Sequence, residues 1–222
     1  MTTSAVMLMR RVFLIGASGH AKVIIDAMEK QGIYDIAYLV DDNPALKGTT
    51  VLGYMIIGGK EALLEENAKS PIEFGFVAIG NNETREYLAN WLLKTGFQLA
   101  TVVHPSAQLA KDVLLGEGSV VMANAVINSG TTIGMNTIIN TAATIDHDCV
   151  VGSAVHVGPG VSVCGGVTIG DRVLVGVGAA IIPNLKIGTA AVIGAGATVV
   201  DVVPDGICVG GTPARPIAVK AT

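Results

Sequence analysis

The chain is 222 residues long, half of it hydrophobic, with 28 glycines, only 4% aromatic residues and a formal net charge of −4. Acids and bases are spread along it, so there is no basic patch for nucleic acid, and no run of eighteen apolar residues is present to cross a membrane. Few aromatics beside many glycines point to a core of small and branched aliphatics, carried on short strands joined by tight turns.

Three cysteines, Cys149, Cys164 and Cys208, form no C-x-x-C pair and leave one unpaired in any disulfide scheme, which fits a reducing cytoplasm. The four histidines show no ligand spacing with them, so no metal is expected. The apolar start of the chain is broken by Arg10-Arg11, and Val12 to Gly16 reads as a first strand rather than part of a signal peptide.

In chain order, Val12 to Ile15 ends in Gly16-Ala17-Ser18-Gly19-His20, and a helical pattern follows through Met28. A second strand, Ala37 to Val40, ends at Asp41-Asp42; a helix is expected from Lys60 to Asn67. The third strand, Phe74 to Ile79, ends at Gly80-Asn81-Asn82, and a helix from Thr84 to Lys94 leads into a strand from Gln98 to Val103. Strands alternating with helices predict a small parallel sheet of Rossmann type over residues 1–101.

Ligands in such sheets sit beyond the carboxyl ends of the strands, and the first three strands end in chemistry. Gly16 and Gly19 let backbone N–H groups approach a phosphate at a helix N-terminus, with Ser18 between them. Asp41 or Asp42 is suited to accept hydrogen bonds from a ribose or base. Asn81, Asn82 and Arg85, following Gly80, are placed to hold phosphate or sugar hydroxyls, with helix capping as the plainer role. His20 falls near the nucleotide or sugar, or caps the turn. The full G-x-G-x-x-G of dinucleotide sites is missing, so a mononucleotide is the better fit.

From Val103 to Val199 every sixth residue, seventeen in all, is Val, Ile or Leu. The position four further on is small or β-branched almost throughout, and the residue after the aliphatic is often glycine, as in Gly116, Gly134 and Gly152. A period of six fits neither a helix nor a simple alternating strand. It fits a chain that runs straight and bends repeatedly, three sides closing a triangular coil of eighteen residues. Coils stacked at ~4.8 Å make a prism about 27 Å tall over residues 102–222.

The ordered set G-A-S-G-H-A (16–21), D-D (41–42), A-I-G-N-N-E-x-R (78–85), H-P-S-A (104–107), I-N-T-A-A-T-I-D-H-D-C (139–149), H-V-G-P (156–159), P-N-L (183–185) and G-G-T-P-A-R (210–215) covers nearly the whole chain. It resembles the sialic acid O-acetyltransferase family of hexapeptide-repeat acyltransferases. Within that family it is most similar to the bacterial nucleotide-linked 4-amino-sugar N-acetyltransferases, of the PglD and perosamine N-acetyltransferase type. The resemblance implies a left-handed parallel β-helix and a homotrimer with active sites between subunits. It also implies acetyl-CoA as donor and a UDP- or GDP-linked amino sugar as acceptor.

His147 is the candidate general base, because acetylating an amine requires removal of a proton and an imidazole titrates near neutrality. It lies two residues past the inward Ile145, at a corner, among Asn140, Thr144, Asp146 and Asp148. Asp148 matches the acidic residue that follows the base in the family; the residues alone leave open whether Asp146 or Asp148 orients the ring. His156 is nine residues on, half a coil away, so the two histidines are expected to meet only across an interface, His156 contacting acetyl-CoA. The resemblance points for CoA to Gly176, Gly194 and Gly196 beside the pantetheine arm, and to Arg215 on a phosphate. O-acetylation of a sialic-acid-type sugar is the alternative, since one His–acid pair serves both chemistries. A nucleotide-sugar sensor is disfavoured by that pair, and a hexapeptide-fold carbonic anhydrase would need three metal-binding histidines where only His147 and His156 lie on the coils beyond the junction.

Overall fold

The computed structural model describes residues 9–218, so the outermost parts of the two expected domains, 1–8 and 219–222, lie outside the described residues. In the N-terminal part, β1 (Arg10–Ile15), α1 (Gly19–Gln31) and β2 (Tyr34–Val40) are followed by a short hairpin of β3 (Thr50–Val51) and β4 (Tyr54–Met55). Then come α2 (Lys60–Lys69), β5 (Phe74–Val77), α3 (Asn82–Lys94) and β6 (Gln98–Leu99). The four-stranded sheet runs in the order β2-β1-β5-β6, and all its pairings are parallel.

The apolar run of β1 is buried on both faces, as a central parallel strand requires. Val12 and Leu14 face α1, whose Ala21, Ile24, Ile25 and Met28 form one apolar stripe; Phe13 and Ile15 face Leu63 of α2 and Leu88 and Leu92 of α3. α1 stops at Gly32, which takes φ 71° and returns its N–H to the Met28 carbonyl. The far side of α1 packs on Val102, Val120, Met122 and Ile138. One helix therefore fills the space between the nucleotide-type sheet and the repeat domain.

The hexads form a parallel β-helix of two-residue strands in three sheets. Its first side carries Val102–Val103, Val120–Val121, Ile138–Ile139, His156–Val157, Leu174–Val175 and Val192–Ile193, and this is the side that α1 covers. Register partners lie eighteen residues apart, as in Ile139 with Val157 and Ile145 with Val163. At the corners from Gly118 to Gly196 the third residue after the inward aliphatic takes a left-handed backbone, with φ 57° at Asn136, 57° at Asp148, 54° at Ala154 and 58° at Arg172. Stacking also explains the glycine column. A Cβ at Gly134 would lie 2.5 Å from the Gly152 carbonyl carbon of the next coil.

Two expectations are corrected. The strand from Gln98 to Val103 is broken: Ala100 still bonds to Gly75 of the sheet, while Val102 bonds to Ser119 of the β-helix. One strand cannot serve two sheets that diverge, so the chain turns at Thr101. The aliphatic run also does not end the core at Val199. Val203 and Val209 are 3% and 5% exposed and stack on Ile187 and Ile193, sixteen residues earlier rather than eighteen. The last coil is two residues short because Asp201 to Pro204 cuts across a corner to close the end, and that shift hides it from a strict period of six.

Replacing Gly134 by alanine puts a methyl group into the backbone of the neighbouring coil, so destabilisation of ~1–3 kcal/mol is expected. Gly19→Ala, whose Cβ would meet no protein atom within 4 Å, is the control. Thermal unfolding of both variants checks the contrast.

Candidate active site

The strand ends of the N-terminal sheet surround a cavity of about 240 Å³ lined by Gly16, Asp41, Asp42, Lys60, Thr84 and Tyr87, among others. Gly16, at φ 107°, runs so close to β5 that a Cβ would lie 2.9 Å from the Ala78 oxygen. Asp41 is committed to the backbone: Oδ2 accepts from Ala17 N at 3.0 Å and Oδ1 from Asn43 N at 2.9 Å. Asp42 accepts from Lys60 N at 3.3 Å through Oδ1, and its Oδ2 takes no bond from the protein. Asp42 is thus the better placed of the two for a ligand. Ser18 precedes α1 without a side-chain capping bond, and at Gly19 and Gly80 an added Cβ would meet no protein atom. Asn81 caps α3, its Oδ1 accepting from Thr84 N at 2.9 Å.

Arg85 requires a correction. It is 1% exposed, and every guanidinium N–H group is spent inside the protein. Nε donates to Asn136 O at 2.9 Å, Nη1 to Ile79 O and Gly80 O at 3.2 and 3.0 Å, and Nη2 to Asn82 Oδ1, Ala154 O and Val155 O at 2.9, 2.9 and 3.2 Å. A side chain with no donor left and no exposure cannot hold a phosphate or sugar. Asn82 is diverted in the same way, its Nδ2 donating to Arg172 O and Val173 O at 3.0 and 3.1 Å. Asn136, Ala154 and Arg172 are corner residues of three successive coils, and their left-handed backbones turn one carbonyl per coil toward α3. The start of α3 is docked on that ladder. Burial lowers the Arg85 pKa to about 10, still far above neutrality.

On the opposite corner of the β-helix, between its second and third sides, His147 is exposed and its Nδ1 meets Asp148 Oδ2 at 2.8 Å. Of the two neighbouring acids, Asp148 is the one that meets the ring. Asp148 occupies the left-handed corner position, which folds its short side chain back onto the ring. Asp146 instead accepts from His147 N at 2.8 Å and from Asn128 Nδ2 at 2.9 Å, both through Oδ1. The hydrogen bond to Asp148, with the Asp146 charge adding to it, raises the His147 pKa above the ordinary imidazole value. Gly165, eighteen residues on and so directly stacked, lies under the ring: a Cβ there would be 2.6 Å from Cε1 and Nε2. Sequence reading passed over Gly165, although adding one coil to 147 would have found it.

His156 faces the N-terminal domain rather than the late coils. Its Nε2 is 3.1 Å from Asn140 Nδ2 and its Nδ1 is 3.4 Å from Gly80 O. The His20 ring, from the first turn of α1, lies 6.3 Å away, and its Nε2 is buried without a partner. Desolvation lowers the pKa of His20 to about 4, helped by the His156 and Arg85 charges; burial lowers that of His156 too. The structure therefore groups His20, Gly80, Asn140 and His156. In one chain it keeps them on a side of the prism away from the His147 corner.

The remaining candidates are more scattered. Gly176 is required by its own scaffold, since a Cβ would stand 2.6 Å from Ala195 N. Gly194 is looser, with Val209 O at 3.2 Å, and Gly196, at φ 65°, faces open space. Arg215 is exposed on the closing strand, where its Nη1 donates to Ala214 O at 2.8 Å beside a cavity of about 320 Å³. Sequence reading also missed Lys60, whose Nζ sits 5.3 Å from the Tyr87 ring centroid and 5.7 Å from that of Trp91, walling the strand-end cavity. Nothing in a single sequence marks that trio, because α2 and α3 meet only in the fold.

The PglD N-terminal domain family matches residues 11–92. Over 117 residues, 52% of this chain and 52% of the relative, the sequence is 34% identical to the UDP-N-acetylbacillosamine N-acetyltransferase of Bacillus subtilis, so the match spans about half of that curated relative. Perosamine N-acetyltransferase from Caulobacter crescentus, solved as a variant with CoA and GDP-perosamine, superposes with a TM-score of 0.90. It is 39% identical, over 96% of this chain and 100% of that one. The acetyltransferase domain of PglB from Neisseria gonorrhoeae, with acetyl coenzyme A, gives a TM-score of 0.86 and 35% identity over 94% and 100% of the two chains.

Imidazole NMR titration tests the electrostatics directly. His147 is expected to titrate above the ordinary histidine value and Asp148→Asn to bring it down, while His20 stays neutral until about pH 4. Gly165→Ala should displace the His147 ring and weaken its coupling to Asp148. An unchanged His147 titration in both variants would contradict the pairing.

Proposed function

The chain belongs to the PglD-like, perosamine N-acetyltransferase-like family of hexapeptide-repeat acyltransferases, and from that premise we propose that it transfers the acetyl group of acetyl-CoA to the amino group of a nucleotide-linked 4-amino-4-deoxy sugar. The observation that carries this reading is the solvent-facing His147–Asp148 pair, at 2.8 Å, on a β-helix whose solved relatives hold CoA. The amine lone pair attacks the thioester carbonyl carbon, forming the C–N bond. His147 Nε2, kept bare because Nδ1–H faces Asp148, takes the proton that the nitrogen must lose. The C–S bond then breaks, and CoA leaves as the thiolate, which takes up the proton from the imidazolium.

The nucleotide is read at the strand ends, where the start of α1 and the Gly16–Gly19 turn offer N–H groups to a phosphate and Asp42 faces the base or ribose. Its sugar extends from there toward His20 and His156. That cluster and His147 lie on different parts of one prism, so a complete site requires a neighbouring copy. The exposed Leu114 (66%) and Val150 (49%) on the third side offer apolar surface for it. We read the assembly as a homotrimer with active sites between subunits, acetyl-CoA lying along the coils toward Gly194, Gly196 and Arg215. Among the described residues no helix is long and apolar enough to cross a membrane and the three cysteines are free, which suits work in the cytoplasm. Two of the relatives named above are N-acetyltransferases of amino sugars, so O-acetylation is not favoured.

Incubation with acetyl-CoA and UDP- or GDP-linked 4-amino-4-deoxy sugars should release CoA and yield the N-acetylated sugar. His147→Ala is expected to lower kcat by ~10²–10⁴-fold. Because only the neutral imidazole accepts a proton, the rate should rise with pH through the elevated His147 pKa; Asp148→Asn should move that limb to lower pH and reduce the plateau. Co-assembled H147A and H156A chains should regain activity that neither has alone. No turnover of any nucleotide-linked amino sugar, or no recovery in the mixed assembly, would refute the corresponding part.

A further inference from the structure

Arg85 is a buried cation that no nucleotide can reach and no carboxylate touches through a hydrogen bond. Such a group is costly to bury, and docking α3 on the β-helix explains only some of its bonds. The others converge on the carbonyl of Gly80, which accepts from Arg85 Nη1 at 3.0 Å and also faces His156 Nδ1 at 3.4 Å. Across the ring, Asn140 Oδ1 accepts the Thr141 N–H at 2.8 Å, so its Nδ2 is the end turned to His156 Nε2 at 3.1 Å. An amide donor on one side and a carbonyl acceptor on the other define the proton's place. Nδ1 carries it, and Nε2 is bare.

We propose that Arg85 is a positioning residue for acetyl transfer: it pins the Gly80 carbonyl to the β-helix so that this carbonyl selects the Nδ1–H tautomer of His156 and sets that ring against His20. This rests on the acetyltransferase reading above. Three links make the relay. Nε and Nη2 tie Arg85 to Asn136 and Ala154, on two successive coils, while Asn82 accepts from Nη2 and ties itself to the third coil at Arg172. Nη1 transmits that anchorage to Gly80. Gly80 then orients a ring that springs from the same side of the prism. The Arg85 charge also helps hold both imidazoles neutral, so His156 keeps Nε2 as the acceptor of the Asn140 amide, with the His20 ring 6.3 Å away. His156 is thereby an acceptor of fixed orientation, and proton removal is left to His147.

The test uses the full chain carrying R85M, which keeps the side-chain bulk, and R85K, which keeps the charge and one bond to Gly80. Ring-nitrogen NMR of the ligand-free protein near neutral pH should show His156 as the Nδ1–H tautomer in the wild type, a mixture in R85M, and partial recovery in R85K. Steady-state kinetics should show kcat reduced on the order of 10- to 100-fold in R85M, less in R85K, with the KM for acetyl-CoA changed by no more than about 3-fold. A folded R85M with wild-type tautomer and kcat overturns the proposal. If R85M does not fold, R85K decides: a mixed tautomer with lowered kcat supports it, and an unchanged tautomer sinks it. Because the tautomer is read without substrate, a wild-type protein that acetylates no nucleotide-linked amino sugar would defeat the functional reading separately.

Discussion

The stacking of eighteen-residue coils is the constraint on which the rest of this molecule depends. Three short sides must close on themselves, so each inward position has to be a branched aliphatic and each corner has to reverse the chain within a few residues. From Gly118 to Gly196 the bend is made by one left-handed residue per corner, and consecutive coils place these residues in columns. Columns are what the chemistry uses. One of them supplies Asp148, whose backbone conformation folds its carboxylate onto His147. Another supplies the carbonyls of Asn136, Ala154 and Arg172, onto which the neighbouring domain is hung.

The same stacking sets the costs. Gly134 and Gly176 are glycines because the next coil's backbone occupies the place of a side chain, and Gly165 is one because the His147 ring does. These are two different reasons for the same residue type. Only the second makes room for a histidine ring. The contrast also separates the two histidine environments. His147 stands in solvent beside carboxylates and is pushed toward the protonated form, whereas His20 and His156 are buried near Arg85 and held neutral. One imidazole with a raised pKa and two with lowered pKa values are thereby set apart by environment alone.

The N-terminal sheet brings its strand ends to a cavity of its own, and α1 fills the space between that sheet and the β-helix. Arg85 makes the two parts one unit, spending all its donors on carbonyls from both. The placement of the sheet's strand ends relative to the coils thus depends on a side chain buried between them.

Most of the scaffold was legible from residue order, because its determinants are local and periodic. The period of six, the alternation of strands and helices, the strand-end motifs and the His147 corner each depend on residues close in sequence or at a fixed spacing. The coil closing the β-helix was not legible, since it shortens the repeat by two residues at Val203 and Val209. Nor were the partners of side chains that reach between domains. Arg85 beside Asn81 and Asn82 reads as a ligand-binding arginine in sequence, and only the packing of α3 on three coils shows where its donors go. His156 likewise reads as a late-coil residue until Gly80 and His20 are brought against it. Sequence determined the repeat and the chemical types at its corners; tertiary structure decided which of them meet, because those contacts join residues 51 or more positions apart that no local pattern connects.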